Sequence, residues 1–380
     1  MLALQAVTPA DLARAVPEVS LPEARKIVAA VHRGEPVRAS SVIRRTAADA
    51  VNVVGEVPSL AVEAETASAI DPFVKYLLAG SDGARFEAVR IPLEHPGRFT
   101  VCVSSQVGCG LACAFCATGR LGLTRNLAAW EIIEQVRVVR ARLSQARASA
   151  RDRLPAGSAR ASLPGGPEAI GSGRVHGVVF QGMGEPLANL DAVVQAIRVF
   201  SESCALGIDA RSITVCTAGL PSGIRRLAVE APRVRLAISI SSAIAAHRKA
   251  VMPIADRHDF EDVIAAAVEH ARATGLAPMW AVTLLDGIND SDGDAQALAH
   301  RAIAFHAATG VRPRLSLLDY NAIGGGDPFR RSPRMAAFRD VLSAAGLASH
   351  RRYSGGSDVA AACGQLANSV IARGDMPAAL

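Results

Sequence analysis

The sequence predicts an α/β protein whose main body is a partial (β/α)6 barrel, preceded by a small helical module. Three observations carry that prediction. From about residue 85, short β-branched runs alternate with longer stretches whose apolar residues recur at helical spacing. A cysteine-rich loop follows the first strand, and glycines or small polar residues follow the later ones, as expected where ligands sit at the carboxyl ends of parallel strands. Before residue 80, helix-start signals recur instead.

In the module, expected over residues 1–80, Thr8-Pro9-Ala10-Asp11 reads as a helix cap followed by proline in the first turn. Leu21-Pro22-Glu23 opens a second amphipathic run, Gly34-Glu35-Pro36 ends it, and a third helix is expected after Ser40-Ser41. Asp71-Pro72 starts a connector. Such helical hairpins suit RNA binding or packing against the neighbouring domain. The barrel is expected over 85–350, with strands at Phe99–Val103, Val175–Phe180, Ser212–Thr217, Val234–Ile240, Met279–Leu285 and Arg314–Leu318. Helices are expected within Ala128–Val139, Leu190–Phe200, Phe260–Ala273 and Asp294–Ala307. Residues 145–174, rich in Ala, Gly, Ser, Arg and Pro, read as a flexible surface insertion without chemistry. Residues 351–380 form a carboxyl-terminal segment in which Cys363 follows the glycine-rich run Tyr353-Ser354-Gly355-Gly356-Ser357.

With 380 residues, half of them hydrophobic, the chain can bury a large core. No uncharged apolar run reaches bilayer length and the amino end lacks the basic start of a signal peptide, so a cytoplasmic protein without a membrane partner is expected. Seven cysteines, three in one loop, suit reduced thiols in metal and redox chemistry better than a disulfide framework. A net charge of +6 suits RNA, although a solvated basic surface explains it equally well.

Cys109, Cys113 and Cys116 form a C-x3-C-x2-C run that lets one loop offer three thiolates to three corners of a four-iron four-sulfur (4Fe-4S) cluster. Structural zinc needs a fourth ligand nearby, and none follows. The fourth iron is then open to the amino and carboxylate groups of S-adenosylmethionine, with Phe115 beside the cluster to pack on adenine. After the second strand, Gln181-Gly182-Met183-Gly184-Glu185-Pro186-Leu187 offers close backbone approach at Gly184 and a carboxylate, Glu185, for the methionyl ammonium. Later strand ends add Cys216, Ser239, Ser241 and Asn321 as cofactor contacts. Each alone is an ordinary turn or cap residue; recurrence at successive strand ends marks a site. Cys204 is left to packing.

Together these motifs resemble the radical S-adenosylmethionine RNA methyltransferases that modify adenosine in ribosomal RNA, over roughly residues 85–370. The most specific pieces are Cys-Val-Ser-Ser-Gln-Val-Gly-Cys at 102–109, Cys-Ala-Thr-Gly at 116–119, Gly-Met-Gly-Glu-Pro-Leu at 182–187, Leu-Asp-Gly-Ile-Asn-Asp at 285–290 and Ala-Cys-Gly-Gln-Leu at 362–366. The resemblance implies a radical S-adenosylmethionine barrel in which Cys363 carries the methyl group, Cys102 resolves the RNA adduct and Glu87 accepts the ring proton. It implies methylation at adenosine carbon 2 in preference to carbon 8, in ribosomal RNA with transfer RNA as a second candidate substrate, by a monomer fed electrons by flavodoxin or ferredoxin. The turnover so implied ends with a Cys102–Cys363 disulfide that must be reduced.

The chain departs from the family where Ser239-Ile240-Ser241-Ser242 replaces the usual Ser-Leu-His-Ala, where Cys216 replaces serine, and over 351–357. Two other readings stand beside this one: a radical enzyme acting on a non-RNA substrate, for which Cys102 and Cys363 are dispensable, and a non-catalytic cluster- or zinc-bearing RNA-binding protein.

Overall fold

The computed structural model describes residues 1–152, 173–324 and 326–367. Strand β1 (Leu2–Ala3) is followed by helices α1 (Pro9–Ala15), α2 (Leu21–Arg33) and α3 (Arg45–Val54), and β2 (Gly55–Glu56) pairs back on β1 in parallel. The caps explain the helix starts: Thr8 with Asp11, and Ser20 with Glu23, form reciprocal capping boxes with proline in the first turn. Gly34, at φ 77°, ends α2 in the left-handed conformation that glycine adopts without strain. The helices enclose their own apolar cluster around Leu12, Ile27, Val28 and Val51. Cys204 is partly buried against that cluster, consistent with a packing role.

Residues 61–79 are not the helical continuation expected to residue 80. They form β3 (Ala61–Ala67) and β4 (Val74–Ala79), which with β5 (Arg85–Pro92) build an antiparallel extension of the main sheet. The Ala- and Glu-rich run of β3 favours helix locally, but pairing with the fully buried β4 decides its conformation. Next come β6 (Arg98–Cys102), the hairpin of β7 (Gln106–Gly108) and β8 (Leu123–Asn126) with short helix α4 (Ala117–Arg120) between its arms, and α5 (Ala129–Asp152). Helix α5 runs through residues 145–152, so helix replaces the start of the expected insertion; residues 153–172 lie outside the described residues, as do 368–380 of the carboxyl-terminal segment.

The alternation then resumes with β9 (Arg174–Phe180), α6 (Leu190–Ser201), β10 (Ile213–Thr217), α7 (Pro221–Glu230), β11 (Arg235–Ser239), α8 (Ala245–Val251), α9 (Phe260–Thr274) and β12 (Met279–Leu284). It ends with α10 (Asp292–Thr309), β13 (Arg314–Asp319), α11 (Met335–Ala344) and β14 (Ser349–Arg352). Among the described residues one ten-stranded sheet has the order β14-β13-β12-β11-β10-β9-β6-β5-β4-β3. The six expected strands, β6 and β9 to β13, are parallel neighbours and make the partial (β/α)6 barrel. Short, polar β14 adds a seventh parallel strand at the far edge. Parallel strands covered by helices are buried, and the main core accordingly runs through Val101, Val178, Val215, Ile238, Val282 and Leu317. No helix among the described residues is long and apolar enough to cross a membrane.

Candidate active site

The cluster loop hangs from the β7–β8 hairpin. Gly108 has φ 76°, and a Cβ there would stand 1.9 Å from the Gly122 carbonyl oxygen, so only glycine lets the arms close. The Cys109 amide donates to that carbonyl at 2.7 Å, and the Cys116 amide donates to Cys113 O at 3.1 Å. Gly119 is as constrained, since a Cβ would meet Cys113 O at 2.8 Å. The loop thus turns Cys109, Cys113 and Cys116 into one cavity of about 1000 Å³, counting its open mouth. Burial pushes the Cys109 thiol up to about 12 and also raises Cys113 and Cys116, with repulsion among the sulfurs adding to it. Three desolvated sulfurs at one cavity wall fit a cationic iron–sulfur group, which makes thiolate the favoured form. Among the described residues no three His, Cys, Asp or Glu side chains gather closely enough for a single metal ion.

The motif Cys102-Val103-Ser104-Ser105-Gln106 is a hub of loop attachments. Ser104 Oγ donates to Glu87 O at 2.5 Å and accepts from the Met183 amide at 2.9 Å. Gln106 Oε1 accepts from the Glu185 amide at 2.8 Å, and Asn189 Nδ2 donates to Ser105 O and Leu127 O. Gly184, at φ 99°, lies so close that a Cβ would meet Gln106 Cβ at 2.6 Å. These contacts bind the loop after β9 to the cluster hairpin and aim Glu185 into the cavity.

Glu185 is fully buried; burial pushes its carboxyl up to about 7 against the pull of the Ala218 and Leu187 amides and Thr217. The amides donate at 2.8 and 3.0 Å. A buried carboxylate with only neutral donors fits the ammonium of a bound ligand. Gln181 lines the same cavity, and its buried Oε1 has no hydrogen-bond partner. Phe115, Cys216, Ser239 and Ser241 also line it, whereas Asn321 does not. Asn321 Nδ2 instead donates to Cys363 O at 3.1 Å and Ser354 Oγ at 3.2 Å, so the structure turns it toward the carboxyl-terminal segment.

Two fastening residues escaped sequence reasoning. Arg248, 1 % exposed, donates to Ser239 O at 2.7 Å, to Ile240 O and to Ala218 O at 2.6 Å, tying the ends of β10 and β11. Burial lowers its pKa to about 10. Asn289, in the Leu285–Asp290 motif, donates to Ser241 O at 2.6 Å and Thr283 O at 2.9 Å and accepts from the Leu285 amide. It holds Ser241 in a left-handed conformation, φ 56°, that a non-glycine residue rarely adopts. An arginine among 38 in the chain carries no local signal, whereas the Gly-Ile-Asn-Asp turn marks Asn289 as a loop residue without saying what it holds.

Cys363 sits where two cavities meet. It lines the cluster cavity and also a smaller one of about 470 Å³ shared with Cys102, Gln181 and Arg352. All seven cysteines are free thiols, Cys102 buried and Cys363 partly so. Burial raises the Cys102 thiol strongly and pushes Cys216 up to about 12. Arg352 interacts electrostatically with the sulfurs of Cys363, Cys216 and Cys102, and its Nη1 has no hydrogen-bond partner. The Cys363 segment is held by Ser354 Oγ, which accepts the Cys363 amide at 2.8 Å, and by the Ala117 amide, which donates to Gly364 O at 2.7 Å. Thr118 Oγ1 donates to Leu366 O at 2.8 Å.

A protein described as "Probable RNA methyltransferase sce3898" from Sorangium cellulosum is 56% identical, covering 92% of this chain and 88% of its own length. The chain belongs to the radical S-adenosylmethionine RNA methyltransferase family. A "Dual-specificity RNA methyltransferase RlmN" from Syntrophobacter fumaroxidans is 40% identical over 77% of this chain and 75% of its own. A radical S-adenosylmethionine methyltransferase from Sphaerobacter thermophilus, solved as a crystal structure, superposes with TM-score 0.77 at 32% identity over 97% of this chain and 100% of that one. No protein-family model matches. Family membership makes this RNA methyltransferase an enzyme and implies S-adenosylmethionine and a 4Fe-4S cluster as its cofactors. The three-thiol loop and the buried Glu185 fit both groups.

Proposed function

We propose that this RNA methyltransferase transfers a methyl group to adenosine carbon 2, rather than carbon 8, of ribosomal and transfer RNA, with Cys363 as carrier, Cys102 as resolving thiol and Glu87 as proton acceptor. The observation that supports the reading is the position of Cys363 at the junction of the two cavities, one bearing the cluster cysteines and Glu185, the other Cys102. A methyl carrier has to meet a donor on one side and a resolving thiol on the other. Dual specificity in the name of the RlmN relatives suits two RNA classes.

Cys109, Cys113 and Cys116 would hold the cluster, and Glu185 would receive the ammonium of S-adenosylmethionine. When bound, these groups supply the methyl group, one electron and the hydrogen-abstracting radical that ring methylation needs. The chain's residues do the rest. The Cys363 sulfur accepts the methyl group, becomes joined to the ring through its carbon, and is then attacked by Cys102. That attack forms an S–S bond and breaks the S–C bond; the electron pair leaves with carbon, which takes up a proton, and two electrons must later reduce the disulfide. Glu87 takes the ring hydrogen as a proton. A cytoplasmic setting, a flavodoxin or ferredoxin donor and a monomeric enzyme complete the reading.

Purifying the Cys102→Ala and Cys363→Ala variants from cells and running them on denaturing gels with and without ribonuclease tests this. Cys102→Ala should accumulate protein covalently bound to RNA, and Cys363→Ala should yield neither adduct nor product. Turnover by Cys363→Ala at the parent rate eliminates the carrier mechanism. Mass mapping of modified nucleotides in ribosomal and transfer RNA, with and without the gene, decides carbon and substrate.

A further inference from the structure

Glu87 and Lys75 lie on neighbouring antiparallel strands. Leu77 pairs with Glu87 and Lys75 with Val89, so Lys75 is the diagonal neighbour of Glu87 on the same sheet face. Lys75 Nζ stands 3.3 Å from Glu87 Oε1, with the side chains 6% and 0% exposed. Glu87 Oε1 has no hydrogen-bond partner, so its compensation is the ammonium charge itself. A carboxylate taken fully out of water needs such a counter-charge, and Lys75 is one of three lysines in a chain that otherwise uses arginine.

The pair also grips both ends of the loop that carries Cys363. Lys75 Nζ donates to Ala360 O at 3.4 Å, and Glu87 Oε2 accepts from the Ala367 amide at 2.6 Å. Ala360 and Ala367 have positive φ, 52° and 107°, which non-glycine residues hold only when neighbouring contacts impose it. Glu87 in this arrangement is engaged by the loop and closed to solvent, so the Ala367 contact must open before Glu87 can meet an RNA base.

We infer that Lys75 is a positioning residue for methyl transfer: it orients and compensates Glu87 and, through Ala360 O, couples that carboxylate to the Cys363 loop. The inference rests on the reading of Glu87 as proton acceptor. In the step concerned, the ring hydrogen leaves as a proton to a Glu87 oxygen and its bonding pair stays in the ring; the one surplus electron of the ring adduct would be taken up by the cluster that Cys109, Cys113 and Cys116 would hold. Lys75 exchanges no atom. It stays beside Glu87 when the loop contact breaks, so the freed oxygen keeps its aim.

The test uses full-length, cluster-loaded enzyme and RNA from cells lacking the gene, with three readouts: methyl on Cys363 by mass spectrometry, covalent adduct on denaturing gels, and methylated product. Lys75→Met should keep Cys363 methylation within about twofold of the parent, slow product formation about 10- to 100-fold and accumulate adduct, as loss of acid–base help does. Lys75→Arg should recover at least tenfold of that loss. Product formation by Lys75→Met within twofold of the parent overturns the inference, as does an equal loss of Cys363 methylation. Because Lys75→Met leaves a buried carboxylate uncompensated and can unfold the chain, the double variant Lys75→Met/Glu87→Gln is made as well. If Lys75 acts through Glu87, the double variant matches Glu87→Gln in product rate; a further tenfold loss overturns the inference. Parent-like product formation by Glu87→Gln removes the proton-acceptor reading and this inference with it, whereas a defective Glu87→Gln beside a parent-like Lys75→Met removes this inference alone.

Discussion

Replacing Glu185 by Gln in the cluster-free protein should change how stability depends on pH. Burial raises this carboxyl from 4.5 to about 7. The folded chain therefore binds the proton more tightly than the unfolded chain. Below about pH 4.5 both states hold the proton and the group contributes no penalty; as pH rises toward 7 the unfolded state ionises first and folding loses stability, until the full penalty applies above 7. A rise from 4.5 to about 7 corresponds to about 3 kcal/mol, at about 1.4 kcal/mol for each tenfold change in proton affinity. Gln has the same shape and no proton to bind, so it lacks the dependence. Urea unfolding of parent and Glu185→Gln across that range gives the stability difference at each pH. Parent minus variant should fall by about 3 kcal/mol between about pH 4.5 and pH 8, and the fall should shrink when cluster and S-adenosylmethionine supply an ammonium. A difference that stays flat in the cluster-free protein refutes burial as the force acting on Glu185.

Asn289→Ala removes bonds to Ser241 O and Thr283 O and strands the Leu285 amide; it should lower stability by about 2–4 kcal/mol and weaken S-adenosylmethionine binding, as urea unfolding and equilibrium binding would register. Gly108→Ala sets a Cβ against Gly122 O and should cut iron and sulfide content well below the parent's while circular dichroism keeps its shape. RNA affinity should fall steeply with salt. Deleting the module through residue 56, which has its own core, should weaken both the affinity and its salt slope; unchanged values in a folded barrel would make the module purely structural.

Much of the fold was legible because its signals are local. Thr8-Pro9, Ser20 with Glu23, and Gly34 cap helices through contacts within a few residues, and the six barrel strands are β-branched runs bounded by turn residues. The gathering of Cys109, Cys113 and Cys116 at one cavity was legible for the same reason, since three thiols on one loop are held together by their spacing. Strands β3 and β14 were not: Ala61–Ala67 falls in the expected helical module and no strand was expected at Ser349–Arg352, and each is a strand only because of its partner. Asn321 read as a cofactor contact from its strand-end position, yet the tertiary path of residues 354–363 claims its amide. The sequence alone determined that three thiols lie on one loop and that a glycine turn carries Glu185. Only the tertiary structure decided that Cys102 and Cys363, 261 positions apart, line one cavity, that Arg248 and Asn289 fasten the strand ends, and that Lys75 faces Glu87 across two strands. The first two depend on loop packing between distant segments and the last on the register in which β4 pairs with β5, and no spacing within a single segment encodes such a meeting.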